Sequence, residues 1–145
     1  IFLFTFSALI TAQEKRNTGV GVQFLGWVPG FSLKHWFNSK TGIQFVGSSW
    51  KSSDTSFGIL MGGFLYRVAE SETLQGYFSV GGGSHWTNDN DDKSGVGLFF
   101  TGEYFPEKWE QVGSSFSVGQ IFGKEKNEGD FAIFTIMYGI HYYFN

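Results

Sequence analysis

Beyond Arg16, apolar residues recur at every second position, the pitch of a β-strand and not of a helix. Val20, Val22 and Phe24 share one face of residues 19–27, and Phe31, Leu33 and Phe37 share one face of residues 31–37. Residues 42–49 alternate through Ile43 and Phe45. Residues 57–67 are apolar on both faces, with Phe57, Ile59, Met61 and Leu65 on one parity, so their orientation stays open. Phe78 and Val80 mark residues 74–83. Val96, Leu98, Phe100 and Tyr104 oppose Gly97, Thr101 and Glu103 in residues 96–105. Val112, Phe116, Val118 and Phe122 oppose Gly113, Ser115, Ser117 and Gly119 in residues 111–122. In residues 131–144, Phe134, Ile136, Tyr138, Ile140, Tyr142 and Phe144 oppose Thr135, Gly139, His141 and Tyr143.

The pattern predicts eight strands. The connectors VPG, NSKTG, SSWKSSDTS, VAESET, SHWTNDNDDKSG, PEKWE and GKEKNEGD are polar and rich in turn residues. An even number of antiparallel strands can close up-and-down and leave no edge exposed. Strands of this length also suit a tilted bilayer crossing, which needs about 9–11 residues.

The chain ahead of the strands reads differently. IFLFTFSALITA followed by QEKRN resembles the apolar core and small-residue end of a secretory signal. Residues 1–12 are therefore expected to be a truncated signal peptide, and residues 13–145 one barrel domain.

Alternation alone does not say which face is inside. Charge placement does. Of 10 Lys+Arg and 13 Asp+Glu, only Lys34, Arg67 and Glu103 fall within the expected strands. A soluble barrel would alternate apolar residues with Lys, Glu and Thr on a wet outer wall. Here the partners are Gly, Ser, Thr and Gln, which suit a narrow interior, while charge on a lipid face costs about 2–4 kcal/mol. The expected fold is an all-β, eight-stranded antiparallel up-and-down transmembrane β-barrel. Lys34 and Glu103 would lie in its lumen and should pair, because an isolated buried charge is costly. The lumen is expected to be filled by side chains, with no open pore.

Composition sharpens this picture. Aromatics are 20% of the chain and glycines number 21 of 145 residues, while charged residues are only 16%. Trp27, Trp50, Trp86, Trp109 and Tyr104 fall near strand ends, where an apolar ring with a polar tip suits a membrane interface. Trp36 takes the lumen parity. A net charge of −3 gives no basic face for nucleic acid. Without cysteine there is no thiolate metal site or disulfide framework.

The ending GIHYYF (139–144) resembles the C-terminal assembly signal of bacterial outer-membrane barrels: Gly139, then Tyr142 and Phe144 in alternation. Asn145 after the final Phe and Met137 at a commonly polar position depart from that signal. FSLKHWFNSKTGIQF (31–45) resembles a hairpin of the same superfamily. Across residues 18–144 the chain resembles the small eight-stranded outer-membrane barrels, of the type of outer membrane protein X and the membrane domain of outer membrane protein A. That resemblance implies a bacterial outer-membrane location, with outer-membrane lipid, lipopolysaccharide and the barrel-assembly machinery as partners.

Barrels of this size include lipid A-modifying enzymes, whose chemistry needs a serine, a histidine and a carboxylate. Three histidines are the places to look. His35 lies on the lipid parity near Ser39. His85 follows Ser84 beside Asp89, Asp91 and Asp92. His141 faces the lumen within reach of Tyr143 or Glu103. None forms a recognisable site, so no catalytic residue and no cofactor are expected. The loop NDNDDKSG lacks the glycine spacing of a calcium loop, with Ser94 at the sixth position from Asp89. Gly81–Gly83 are expected to permit a bulge or close strand approach. The reading is a small non-enzymatic outer-membrane barrel acting structurally or through its outer loops. The alternatives are a lipid A-modifying enzyme on the same scaffold, or a secreted soluble barrel that binds an apolar ligand.

Overall fold

The structure, a computed structural model, describes residues 16–53, 56–88, 92–126 and 128–144. The signal-peptide expectation lies outside them, as do Asp89 and Asp91. Eight strands follow in chain order: β1 (Thr18–Leu25), β2 (Val28–Trp36), β3 (Thr41–Lys51), β4 (Ser56–Glu70), β5 (Leu74–Thr87), β6 (Lys93–Tyr104), β7 (Val112–Glu125) and β8 (Gly129–Phe144). Each pairs antiparallel with the next, and β8 returns to pair with β1, so the sheet is a closed up-and-down barrel.

Period two now has a fixed sense. Phe31, Leu33, Phe45, Phe64, Leu98, Phe116, Ile136 and Tyr138 are exposed on the outer wall. Gln23, Ser32, Lys34, Arg67, Thr101, Glu103, Ser115 and His141 are buried in the lumen. The barrel is apolar outside and polar inside, the reverse of a water-soluble domain. β4 also acquires its orientation. Ile59, Met61 and Leu65 face the lumen, while Leu60, Phe64 and Tyr66 face outward.

Expectations about strand ends are corrected on most strands. Val28, Pro29 and Gly30 belong to β2, and the connection is the two-residue turn Gly26–Trp27. Gly26 adopts φ 60, the left-handed conformation a two-residue hairpin demands. β5 runs on through Thr87 and β4 through Glu70, because the two strands stay paired there, Glu70 opposite Gln75 and Thr87 opposite Phe57. Longer strands also take in more charge: Lys51, Glu70, Lys93, Lys124, Glu125 and Asp130 sit at strand ends in addition to the three expected. β4 carries one register shift against β5, between Arg67 and Ala69. Gly81 needs no bulge. It faces Gly63 across the β4–β5 pair, and a Cβ there would run into the Gly62 and Gly63 backbone.

Candidate functional site

The lumen divides into two halves of different chemistry. The half beside Thr18 and Phe144 is lined by buried side chains. Trp36, Leu65, Tyr77, Phe105 and Tyr143 form its apolar cluster, with Trp36 edge-on to Tyr77 at 5.4 Å. The Arg67 guanidinium lies 3.9 Å over the Trp36 ring, and Arg16 lies 3.9 Å over Phe105. Arg67 donates to Glu70 Oε1 at 2.9 Å and to Gln75 Oε1 at 3.2 Å. Arg16 donates to the Glu110 and Glu72 carbonyls. Burial draws the Arg16 pKa down, and the Glu110 charge opposes it. These arginines seal the floor as flat cations stacked on aromatic faces, a geometry lysine does not offer.

The structure brings Lys34 and Glu103 together at the centre of this plug. Lys34 Nζ stands 3.0 Å from Glu103 Oε2 with neither side chain exposed. Lys34 also donates to the Tyr77 hydroxyl at 2.7 Å. Tyr143 donates to both Glu103 oxygens at 2.9 Å, and Tyr77 to Oε2 at 3.3 Å. The surrounding hydroxyls stabilise the carboxylate, as a buried pair requires.

A second arrangement joins this one, and sequence reasoning missed it. Ser32 Oγ is 2.9 Å from His141 Nε2, and His141 Nδ1 is 3.5 Å from Glu103 Oε1. Serine, histidine and carboxylate thus stand in the order used for nucleophilic catalysis. The serine, however, is fully buried. Gln44 Nε2 donates to it at 3.0 Å, and Gln23 Oε1 lies 3.4 Å away. Ser32 is one small inward residue among several, and nothing local in the sequence marked it. The histidine was weighed, without its serine. Elsewhere, Ser84 and His85 point to opposite faces of β5, since they are adjacent in a strand. His35 takes the Thr18 hydroxyl at 2.8 Å and packs against Phe37.

Above Gln23 and Gln44 the lumen opens. A cavity of about 390 Å³ lies above the plug, bounded by Val46, Ile59, Met61, Ile133 and Met137. The expectation of a lumen filled throughout therefore describes the lower half and not the upper.

The remaining sequence candidates lie on the outside. Trp27 is 96% exposed at the β1–β2 turn, and Trp50, Trp86, Trp109 and Tyr104 are also exposed. Trp50 has the lumen parity at the far end of β3, so it reaches the rim and not the outer wall. Tyr142 and Phe144 face outward while Gly139 faces the lumen.

No family model matches the chain, and no curated protein matches it. Among solved structures it is similar to Ail, the attachment invasion locus protein of Yersinia pestis. That match has 18% identity and a TM-score of 0.38, covering 88% of this chain and 93% of that one.

Proposed function

We propose that this protein is a small, non-enzymatic outer-membrane barrel of a Gram-negative-type bacterium, with a structural or surface-interaction role carried by its outer loops. One observation carries the reading: large apolar side chains cover the outer wall, while a Lys–Glu pair lies unexposed within. A water-soluble monomer rarely exposes a contiguous apolar patch beyond a few hundred Å², and here the apolar belt runs around the barrel. Only lipid covers such a belt without a protein partner. Outer-membrane lipid and lipopolysaccharide are then the surrounding medium. Trp27, Trp86, Trp109 and Tyr104 serve as interfacial anchors, while Trp50 stays at the rim, and Gly139, Tyr142 and Phe144 serve as the tag read by the barrel-assembly machinery. The packed lower lumen supports a barrel without a conducting pore. The outer wall speaks against the secreted soluble alternative.

The test is heat modifiability. The chain is folded in detergent, and boiled and unboiled samples are compared on a denaturing gel. A boiling-dependent shift, with β-type circular dichroism only in detergent, is expected. Folding in plain buffer without a shift would overturn the reading.

The Ser32–His141–Glu103 arrangement favours a second reading, an acyl-ester hydrolase or transferase acting on lipid A. Against it, Ser32 is shielded by Gln23 and Gln44, and Glu103 is already engaged by Lys34 and two tyrosines. A fluorophosphonate probe on the folded protein separates the two. Labelling that disappears in Ser32→Ala would establish the enzyme, and an unlabelled protein retains the structural role.

A further inference from the structure

The contrast between the two halves of the lumen calls for a cause. Eight-stranded barrels are narrow enough for side chains to fill them, and the lower half shows it. In the upper half the inward positions of β4–β7 are held largely by glycine: Gly63, Gly81, Gly83, Gly95, Gly97 and Gly123. A Cβ on Gly97 or Gly119 would run into the Phe99 ring, and one on Gly123 into the Phe131 ring. The glycines let these two rings lie flat against the wall and leave the axis open. Protein interiors seldom keep such voids, because each forfeits packing energy. About 390 Å³ falls in the size range of small-molecule sites.

Two further observations indicate the occupant. The first is polar. His85 lines the upper part of the cavity, and Thr87 follows two residues later on the same face of β5. His85 Nδ1 and Thr87 Oγ1 are both buried and without a hydrogen-bond partner. Those two atoms are closed off by protein, but the His85 side chain and Lys93, opposite it on β6, give the top of this largely apolar space a polar edge.

The second observation is a low wall. β1 ends at Leu25 opposite Met137, whereas β8 continues outward to Gly129. Past the Gly26 amide bonded to the Ile136 carbonyl at 3.3 Å, no strand flanks Gly129–Thr135 on that side among the described residues. Phe134 and Ile136 still face outward at this height, so the wall drops where the outer surface is apolar. Leu25 and Val28 of the short hairpin themselves line the cavity. The apolar exterior and the cavity therefore meet over the β1–β2 hairpin.

We infer that the upper lumen binds one long hydrocarbon chain of an amphiphile, its tail among Val46, Ile59, Met61, Ile133 and Met137 and its polar head at the edge formed by His85 and Lys93. The inference rests on the membrane reading, because the low wall delivers a chain only if lipid surrounds it. A free fatty acid and the acyl chain of a phospholipid share this chemistry. They are distinguished by experiment.

The folded full-length chain is placed in phosphatidylcholine nanodiscs and irradiated with a diazirine-bearing palmitic acid, or with a phosphatidylcholine bearing the same diazirine chain. Cross-linked peptides are then mapped. The expected result is labelling of inward Ile59, Met61 and Ile133 that unlabelled palmitate displaces, while labelling of outward Leu60, Phe64 and Phe134 by the surrounding lipid is not displaced. The probe that yields it names the source. Ser79→Phe, which fills the cavity from β5, should lower inward labelling at least fivefold and leave outward labelling unchanged. His85→Leu should raise the half-saturating concentration severalfold. Ile59→Trp replaces Ser79→Phe if the latter does not show the boiling-dependent shift. Labelling confined to outward residues, or inward labelling indifferent to cavity filling, would overturn the inference. Loss of the boiling-dependent shift in the unaltered chain would instead overturn the membrane reading.

Discussion

Lys34 and Glu103 come from strands on opposite sides of the barrel and meet at 3.0 Å with neither side chain exposed. Removing one partner leaves the other charge stranded. Glu103→Ala should therefore cost about 3–5 kcal/mol, read as a lower urea midpoint in detergent micelles. Tyr143 and Tyr77 would lose an acceptor in the same substitution. Lys34→Met combined with Glu103→Leu removes both charges and should recover much of the loss. A Glu103→Ala variant that unfolds with the wild type would show that the pair contributes no stability.

The β1–β2 turn makes a purely conformational prediction. Gly26 has φ 60, and a Cβ added there meets nothing within 4 Å. Gly26→Val should thus cost about 1–2 kcal/mol through backbone strain alone. Gly26→Asn, which tolerates the left-handed region, should cost less. Equal midpoints for the two variants would count against strain as the cause.

The parts of this molecule that were legible from sequence are those where the two strand faces differ in chemistry. β6, β7 and β8 alternate apolar residues with Gly, Ser, Thr and His, and their outward positions stand as expected. β4 was ambiguous for a physical reason: its inward Ile59 and Met61 line an apolar cavity, so inward and outward positions look alike. Val28-Pro29-Gly30 carried the strongest turn chemistry in the chain, yet the turn lies before it. Gly26 supplied the positive φ, and Pro29 sits where β2 pairs only with β1. The Ser32–His141–Glu103 relationship was invisible because barrel closure, not sequence spacing, brings β2, β6 and β8 to one point. The Lys34–Glu103 pair crosses the same interior, but it could be reasoned from scarcity, being two of the few charges in the expected strands.

The outer wall gives a prediction that separates lipid from water. Leu98 is 56% exposed at the middle of β6. On a solvated surface Leu98→Arg would be nearly neutral. Facing a bilayer it should cost about 2–4 kcal/mol in reversible unfolding from lipid vesicles. Trp27→Arg at the exposed turn is the control, with a loss well below that of Leu98→Arg. A neutral Leu98→Arg in vesicles would remove the membrane from the account.

The last strand separates an assembly role from a packing role, because its two faces carry different duties. Tyr142 and Phe144 point outward, and the Tyr142 hydroxyl donates to the exposed Gln111 side chain at 2.8 Å. Tyr143 between them points inward and donates to Glu103. If the outward pair is read by the assembly machinery, Tyr142→Ala with Phe144→Ala should lower the folded amount in cell membranes severalfold. The same variant should still refold in detergent with little loss of yield. Tyr143→Phe should show the opposite signature, with near-normal assembly but a urea midpoint lowered by the loss of a charge-assisted hydrogen bond worth about 1.5–3 kcal/mol. Were the outward double variant to assemble normally in cells, the aromatic ending would be a lipid-facing surface and nothing more.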